Sequence, residues 1–323
     1  MQFFEQRTDL TQLQEAVSQI KQNIGQLIVG QSQMVELMIA GLLSDGHLLI
    51  EGVPGVAKTL AAKLLAKSIQ LPFSRIQFTP DLMPGDVIGT TVFNPQAAAF
   101  QFKPGPIFSH IVLIDEINRA PAKTQSALFE VMEERQITYD GTTYALDAPF
   151  LVLATQNPIE QEGTYRLPEA QLDRFIFKIT VDYPDFADEV RILQNQQHKT
   201  AAVQLQSLQA VLQPHDILAY RQVVQSLVME QKLIEFIARI ITLTRNNSSL
   251  YLAASPRASL AVMKASKAFA AMRGRDFVLP EDILEVVPHV LRHRIMLTPE
   301  KEMEGLTPDD LIKKMIASVE VPR

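Results

Sequence analysis

Gly52, Val53, Pro54, Gly55, Val56, Ala57, Lys58 and Thr59 follow the short apolar run 47–50 and lead into a helical pattern that opens at Leu60. A glycine-containing turn between a buried strand and a helix frees backbone N–H groups to point at phosphate oxygens. The helix N-terminus adds its partial positive charge. The Lys58 ammonium suits β- and γ-phosphates and the Thr59 hydroxyl suits Mg²⁺. The chemistry expected of residues 52–60 is therefore binding of a nucleoside triphosphate. Ala57 departs from the common phosphate loop, since it stands where the last glycine usually is and puts a methyl group near the phosphates.

Two further clusters fit the same chemistry. The apolar run 111–114 ends in Asp115 and Glu116. A carboxylate just beyond the strand next to the phosphate loop can hold the metal shell, and a second one can polarise water for in-line attack on the γ-phosphate. Asp115 is assigned to metal and Glu116 to water. The run 150–154 leads into Thr155, Gln156, Asn157 and Pro158, which sets a polar amide past a strand end. Asn157 could position the attacking water, although Asn before Pro is also a common turn signal.

These groups need a scaffold that brings strand ends together. Strands expected at 47–50, 74–78, 111–114, 150–154 and 175–179 alternate with helical patterns, as in a three-layer α/β domain whose parallel sheet is covered on both faces. Leu10, Leu13, Val17, Ile20, Ile24 and Leu27 mark an amphipathic helix leading into it. Two hairpins are expected within this domain. One has 92–93 and 100–102 flanking Asn94-Pro95; the other has 136–139 and 142–144 around Asp140-Gly141, where both turn positions tolerate positive φ. Their aromatics Phe93, Phe100, Phe102, Tyr139 and Tyr144 would either grip a polypeptide or pack the hairpins against the domain.

Past Tyr183-Pro184, helical periodicity predicts helices over 185–196, 219–228, 233–243, 256–271 and 280–291. A last helix over 308–319 is capped by Thr307, with Asp309 and Asp310 at the positive end of its dipole. The reading is an α/β domain over 1–182, an all-helical lid over 183–323, and a hinge near 181–185.

Composition narrows the partners. The 323 residues carry a net charge of −6, are 47 % hydrophobic and include no cysteine, which leaves no disulfide framework or thiolate metal site. The absence of a Lys or Arg block argues against a dedicated nucleic-acid surface. The six histidines show no ligand spacing. No uncharged run reaches bilayer-spanning length, and the N-terminus lacks a basic region followed by an apolar core, so a cytoplasmic protein is expected.

Several blocks besides EGVPGVAKT at 51–59 then carry a resemblance. They are TPDLMPGDVIG at 79–89, FKPGPIF at 102–108, DEINRAP at 115–121, KTQSAL at 123–128, ATQNPIEQEGTY at 154–165, LPEAQLDRF at 167–175 and ASPRASL at 254–260. Over nearly the whole chain the residues resemble the AAA+ ATPases, and among them the MoxR family. That family also uses alanine before the phosphate-loop lysine. Arg166 departs from it, because proline is usual there.

The resemblance implies ATP with Mg²⁺, Asp115 and Glu116 as the Walker B pair, and Asn157 as the first sensor. It implies that Arg174 is an arginine finger reaching the γ-phosphate of the neighbouring subunit. Arg257 lies just inside a helix start, after Ser255 as N-cap and Pro256 as first helical residue. By resemblance it is the second sensor, acting from the lid on the subunit's own nucleotide when the lid closes. Val29, Gly30 and Gln31 correspond to the segment lining the adenine pocket. The assembly implied is a homo-oligomer of six subunits acting as a chaperone-like remodeller. Its partner would be a protein carrying a von Willebrand factor A domain, in metal or cofactor insertion or complex maturation. The alternatives are a nucleotide-gated partner-binding switch and a nucleic-acid motor.

Overall fold

The computed structural model describes residues 8–158, 165, 167–198 and 208–322; Arg166 and residues 159–164 lie outside the described residues. Helices α1 (Thr11–Gly25) and α2 (Ser32–Leu43) precede strand β1 (His47–Gly52), α3 (Lys58–Ser68), β2 (Phe73–Gln77) and the short α4 (Pro84–Ile88). A hairpin of β3 (Gly89–Asn94) and β4 (Ala99–Pro104) is followed by β5 (Ile111–Asp115) and α5 (Ala122–Glu134). A second hairpin, β6 (Gln136–Tyr139) with β7 (Thr142–Ala145), leads to β8 (Leu151–Gln156), α6 (Glu169–Leu172) and β9 (Phe175–Val181).

Five strands form one parallel sheet in the order β2-β5-β8-β1-β9. The apolar runs read as strands because both of their faces are covered. Within β1, Leu48 and Ile50 join the cluster packed by α1, α2 and α3, while Leu49 joins the one packed by α5. Side chains alternate in this way along any strand, and here the alternation defines the three layers. The order also corrects one expectation. The strand beside β1 is β8, not β5, so the β8 end stands between the phosphate loop and the Asp115–Glu116 pair.

The remaining described residues are largely helical: α7 (Phe186–His198), then helices Pro214–Ser226, Gln231–Arg245, Pro256–Met272, Pro280–Leu291, Pro299–Met303 and Pro308–Ser318. The helical reading gains one small antiparallel pair, β10 (Leu250–Leu252) with β11 (Met296–Leu297). Among the described residues no helix is long and apolar enough to cross a membrane.

The helical part is fused to the sheet. A single buried cluster runs from Leu13 and Ile20 of α1 and Leu37 and Met38 of α2 through to Phe236, Phe269 and Val286 of the later helices. Arg294 is buried at this junction. It donates to the carboxylate and carbonyl of Asp173 at 2.6 and 3.0 Å and to the carbonyls of Phe175 and Ile176 at 2.6 and 3.2 Å. Rotation about residues 181–185 would expose part of that shared core and strip these partners from Arg294.

Both hairpins form where expected, and their aromatics divide. Phe102 stacks on Tyr144 at a centroid distance of 4.3 Å and lies 5.4 Å from Tyr139, which ties the two hairpins together. Phe93 and Phe100 pair across β3 and β4 at 5.3 Å and are 51 % and 73 % exposed. Three of the five aromatics are thus packing, and two are presented at the surface.

Candidate active site

β1 ends at Gly52, where a Cβ would come within 2.5 Å of the Val181 carbonyl oxygen, so only glycine fits against β9. The chain then turns through exposed Pro54 and Gly55, the latter at φ +88°, while Val56 is buried and Val53, Ala57 and Leu60 pack against the core. Ala57 adopts φ +59° and ψ 21°, a left-handed conformation that costs a residue bearing a Cβ roughly 1–2 kcal/mol. The alanine thus occupies a backbone position suited to glycine, with its conformation fixed by the turn.

α3 begins at Lys58 with no side-chain cap and no acidic residue in its first turn, which leaves its N-terminal N–H groups to an anion. The Lys58 ammonium donates to the Gly52 carbonyl at 2.6 Å. Burial lowers its pKa, and the carboxylates of Asp115, Glu116 and Glu51 pull it back up. These groups fit a polyphosphate. Val29, Gly30 and Gln31 lie beside the loop's root: a Cβ on Gly30 would approach Asp188 Oδ2 to 2.7 Å, and Gln31 Nε2 donates to the Asp182 carbonyl at 3.2 Å, next to the Val181 that covers Gly52.

At the end of β5, Asp115 is 7 % exposed. Thr155 at the end of β8 organises the pair: its hydroxyl donates to Asp115 Oδ1 at 3.2 Å and accepts the Glu116 N–H at 3.0 Å. Glu116 itself sits at φ +58°, so the backbone turns sharply between the two carboxylates. Arg75 Nε meets Asp115 Oδ2 at 2.5 Å, and Gln77 Nε2 donates to Glu116 Oε2 at 2.8 Å, with Arg119 Nε 3.1 Å from the same oxygen. Asn157 follows β8 and is half-buried, between the ends of β5 and β1 by strand order.

Among the described residues no group of three or more His, Cys, Asp or Glu could hold a metal. Asp115 and Thr59 supply oxygen donors of the kind Mg²⁺ takes alongside phosphate oxygens and water. Thr155, Arg75 and Gln77 escape sequence reading. Thr155 lies inside the 154–165 block, but nothing local marks the other two. Their roles follow from the β2–β5 register, which pairs Gln77 with Asp115 and sets Arg75 diagonally across from it.

Arg174 and Arg257 lie elsewhere. In the parallel register His47 faces Phe175, so Arg174 stands at the start of the strands, and the six residues of β1 put about 20 Å between it and the phosphate loop. Arg257 is there too. Glu133, near the end of α5, meets Arg174 Nε through Oε2 at 2.7 Å as a charge pair lacking hydrogen-bond alignment, and accepts from the Arg257 guanidinium through Oε1 at 2.8 Å. The Arg174 guanidinium also lies 5.8 Å from the Phe129 ring centroid. Asp173, next to Arg174 in the chain, is taken by Arg294 and by the Ser255 hydroxyl at 2.9 Å. Both arginines line a cavity of about 200 Å³ with Lys264 and Arg294. The expectation that Arg257 serves its own subunit's nucleotide is therefore corrected. The Pro256–Met272 helix packs on α1 and α2 with its N-terminus at the opposite end of the sheet from the phosphate loop.

A glycine-containing loop closed by lysine and threonine, an Asp-Glu pair two strands away, and a helical segment packed on the sheet define a P-loop ATPase of the AAA+ type. Residues 47–177 match the model of the ATPase family associated with various cellular activities (AAA), and residues 242–315 match the AAA lid domain. The chain is 43 % identical to Chaperone MoxR1 of Mycobacterium tuberculosis, over 96 % of this chain and 82 % of that one. It is 45 % identical to the uncharacterized protein YeaC of Bacillus subtilis over 93 % of each, and 30 % identical to Protein MoxR of Paracoccus denitrificans over 92 % and 93 %. A crystal structure from Cytophaga hutchinsonii superposes with a TM-score of 0.88 at 41 % identity over 96 % of both chains. The chain belongs to the MoxR family of AAA+ ATPases, and ATP hydrolysis is its chemistry.

Thr155→Val keeps the side chain's shape and removes both hydrogen bonds to the Asp115–Glu116 turn. ATP turnover is expected to fall about 10- to 100-fold. Titration with a fluorescent ATP analogue should give a dissociation constant close to that of the wild type. Turnover within twofold of wild type would show that the turn needs no such brace.

Proposed function

We propose that the protein is a Mg²⁺-dependent ATPase that assembles into a ring, of six subunits by analogy with AAA+ relatives. In this reading each nucleotide lies between the phosphate loop of one subunit and the Arg174–Arg257 pair of the next. The observation that carries it is the separation of about 20 Å between that pair and the subunit's own loop. Two arginines of the type used to stabilise a γ-phosphoryl transition state serve best where a second subunit brings its nucleotide to them.

Within one subunit, Lys58 and the first turn of α3 bind the phosphates, with Val29, Gly30 and Gln31 beside the adenine. Asp115 and Thr59 hold the metal, which when bound would neutralise charge on the phosphate oxygens. Glu116 takes the proton of the attacking water and Asn157 orients that water. We place the boundary between the α/β domain and the helical domain near residue 182. The working compartment in this proposal is the cytoplasm.

The wider role we propose is chaperone-like remodelling or maturation of client proteins, including metal or cofactor insertion. Selectivity would come from a partner carrying a von Willebrand factor A domain. The name Chaperone MoxR1 of a relative with 43 % identity supports this reading. The net charge of −6 favours it over a nucleic-acid motor. The test is mass in solution with ATP and Mg²⁺, read together with ATPase rate per subunit against protein concentration. A rate that rises as a large oligomer forms is expected; a monomer whose rate is independent of concentration would favour a nucleotide-gated switch.

A further inference from the structure

We infer that Glu133 is a positioning residue, whose single carboxylate aligns Arg174 and Arg257 as a pair for the γ-phosphate of the neighbouring subunit's ATP. The inference rests on the shared site proposed above.

The three residues come from three separate elements: Glu133 from the end of α5, Arg174 from the turn between α6 and β9, and Arg257 from the first turn of the Pro256–Met272 helix. Without a common anion, two guanidiniums brought to one cavity would repel each other. Glu133 gives one oxygen to each, at 2.7 Å to Arg174 and 2.8 Å to Arg257. One negative charge against two positive ones leaves a net charge of +1 on the cluster, which still attracts a phosphate.

The carboxylate is itself anchored. Two residues on, Arg135 ends α5 in a left-handed turn and its guanidinium donates to the Phe150 carbonyl at 2.5 Å, which pins the helix end to the sheet. Glu133 engages Arg174 at Nε, and no described residue partners its two terminal nitrogens, so the planar fork that matches a phosphate edge is free. The Arg257 side chain is 56 % exposed, and Glu133 is its ion-pair partner. Loss of the carboxylate would leave two rotamer-rich side chains to be ordered again in every turnover.

The test compares wild type, Glu133→Gln, Arg174→Ala and the double variant as full chains at a protein concentration where assembly is complete. Glu133→Gln is expected to lower kcat roughly tenfold, from the ordering cost of two long side chains, with KM for ATP and oligomer mass within twofold of wild type. In the Arg174→Ala background the same change should cost only about threefold, because Arg257 alone is left to be aligned. Three results would overturn the inference: an unchanged or raised kcat for Glu133→Gln, a proportional loss in both backgrounds, or a loss that tracks dissociation of the oligomer. If Arg174→Ala lowers kcat strongly while Glu133→Gln does not, only the role of Glu133 falls. If Arg174→Ala turns over at the wild-type rate, the shared site falls with it.

Discussion

Arg174→Ala is expected to lower ATP turnover per subunit by about 10³- to 10⁵-fold, the range over which an arginine supplied in trans accelerates phosphoryl transfer. Fold and nucleotide binding should survive. Arg174 is partly exposed, and its charge pair with Glu133 is of the surface kind, contributing at most about 1 kcal/mol. Its removal leaves Glu133 still bound to Arg257 and leaves the phosphate loop, about 20 Å away, untouched. The measurement is steady-state phosphate release beside equilibrium ATP binding. Mixing sharpens it: Arg174→Ala subunits combined with Lys58→Ala subunits should regain turnover. In such a mixture, some intact phosphate loops meet an intact Arg174 from the neighbour. Mixed subunits as inactive as each variant alone would show that the arginine acts within its own chain.

Glu116→Gln is expected to slow hydrolysis by about 10²- to 10⁴-fold, the usual share of a general base, while ATP remains bound. The substitution is nearly isosteric and still accepts the Gln77 amide, but it cannot take a proton from water. The backbone turn at φ +58° and its hydrogen bond to Thr155 are unaffected, so Asp115 stays aligned for the metal. Quantifying the nucleotide that co-purifies or is retained after gel filtration checks this, with ATP rather than ADP predominating. Lys58→Ala supplies the contrast, since it should lose nucleotide altogether. Turnover by Glu116→Gln at the wild-type rate would move the base elsewhere.

Much of the nucleotide side was legible because its signals are local. Buried parallel strands read as apolar runs, and β1, β5 and β8 each lead into residues of the proposed nucleotide site. Asp140-Gly141 marks a two-residue turn because both residues take positive φ, at 49° and 75°. Helices with one apolar face, such as Gln231–Arg245, stand out by period. α2 does not, since buried residues surround it on nearly every face and no stripe remains to be read.

The arginine side was half legible. Arg174 and Arg257 are recognisable as residues, but their partner Glu133 lies 124 positions from Arg257, and nothing in the local sequence marks it. Thr155 and Asp115, 40 positions apart, meet only because β8 pairs with β5.

By itself the sequence determined the phosphate loop, the carboxylate pair and the alternation of strands and helices, since each depends on backbone geometry and periodicity over a few residues. The tertiary structure decided that β8 lies between β1 and β5, that the helical segment shares one core with the sheet, and that Arg257 stands beside Arg174 at the far end. Those outcomes depend on strand order and on burial of apolar surface from distant parts of the chain.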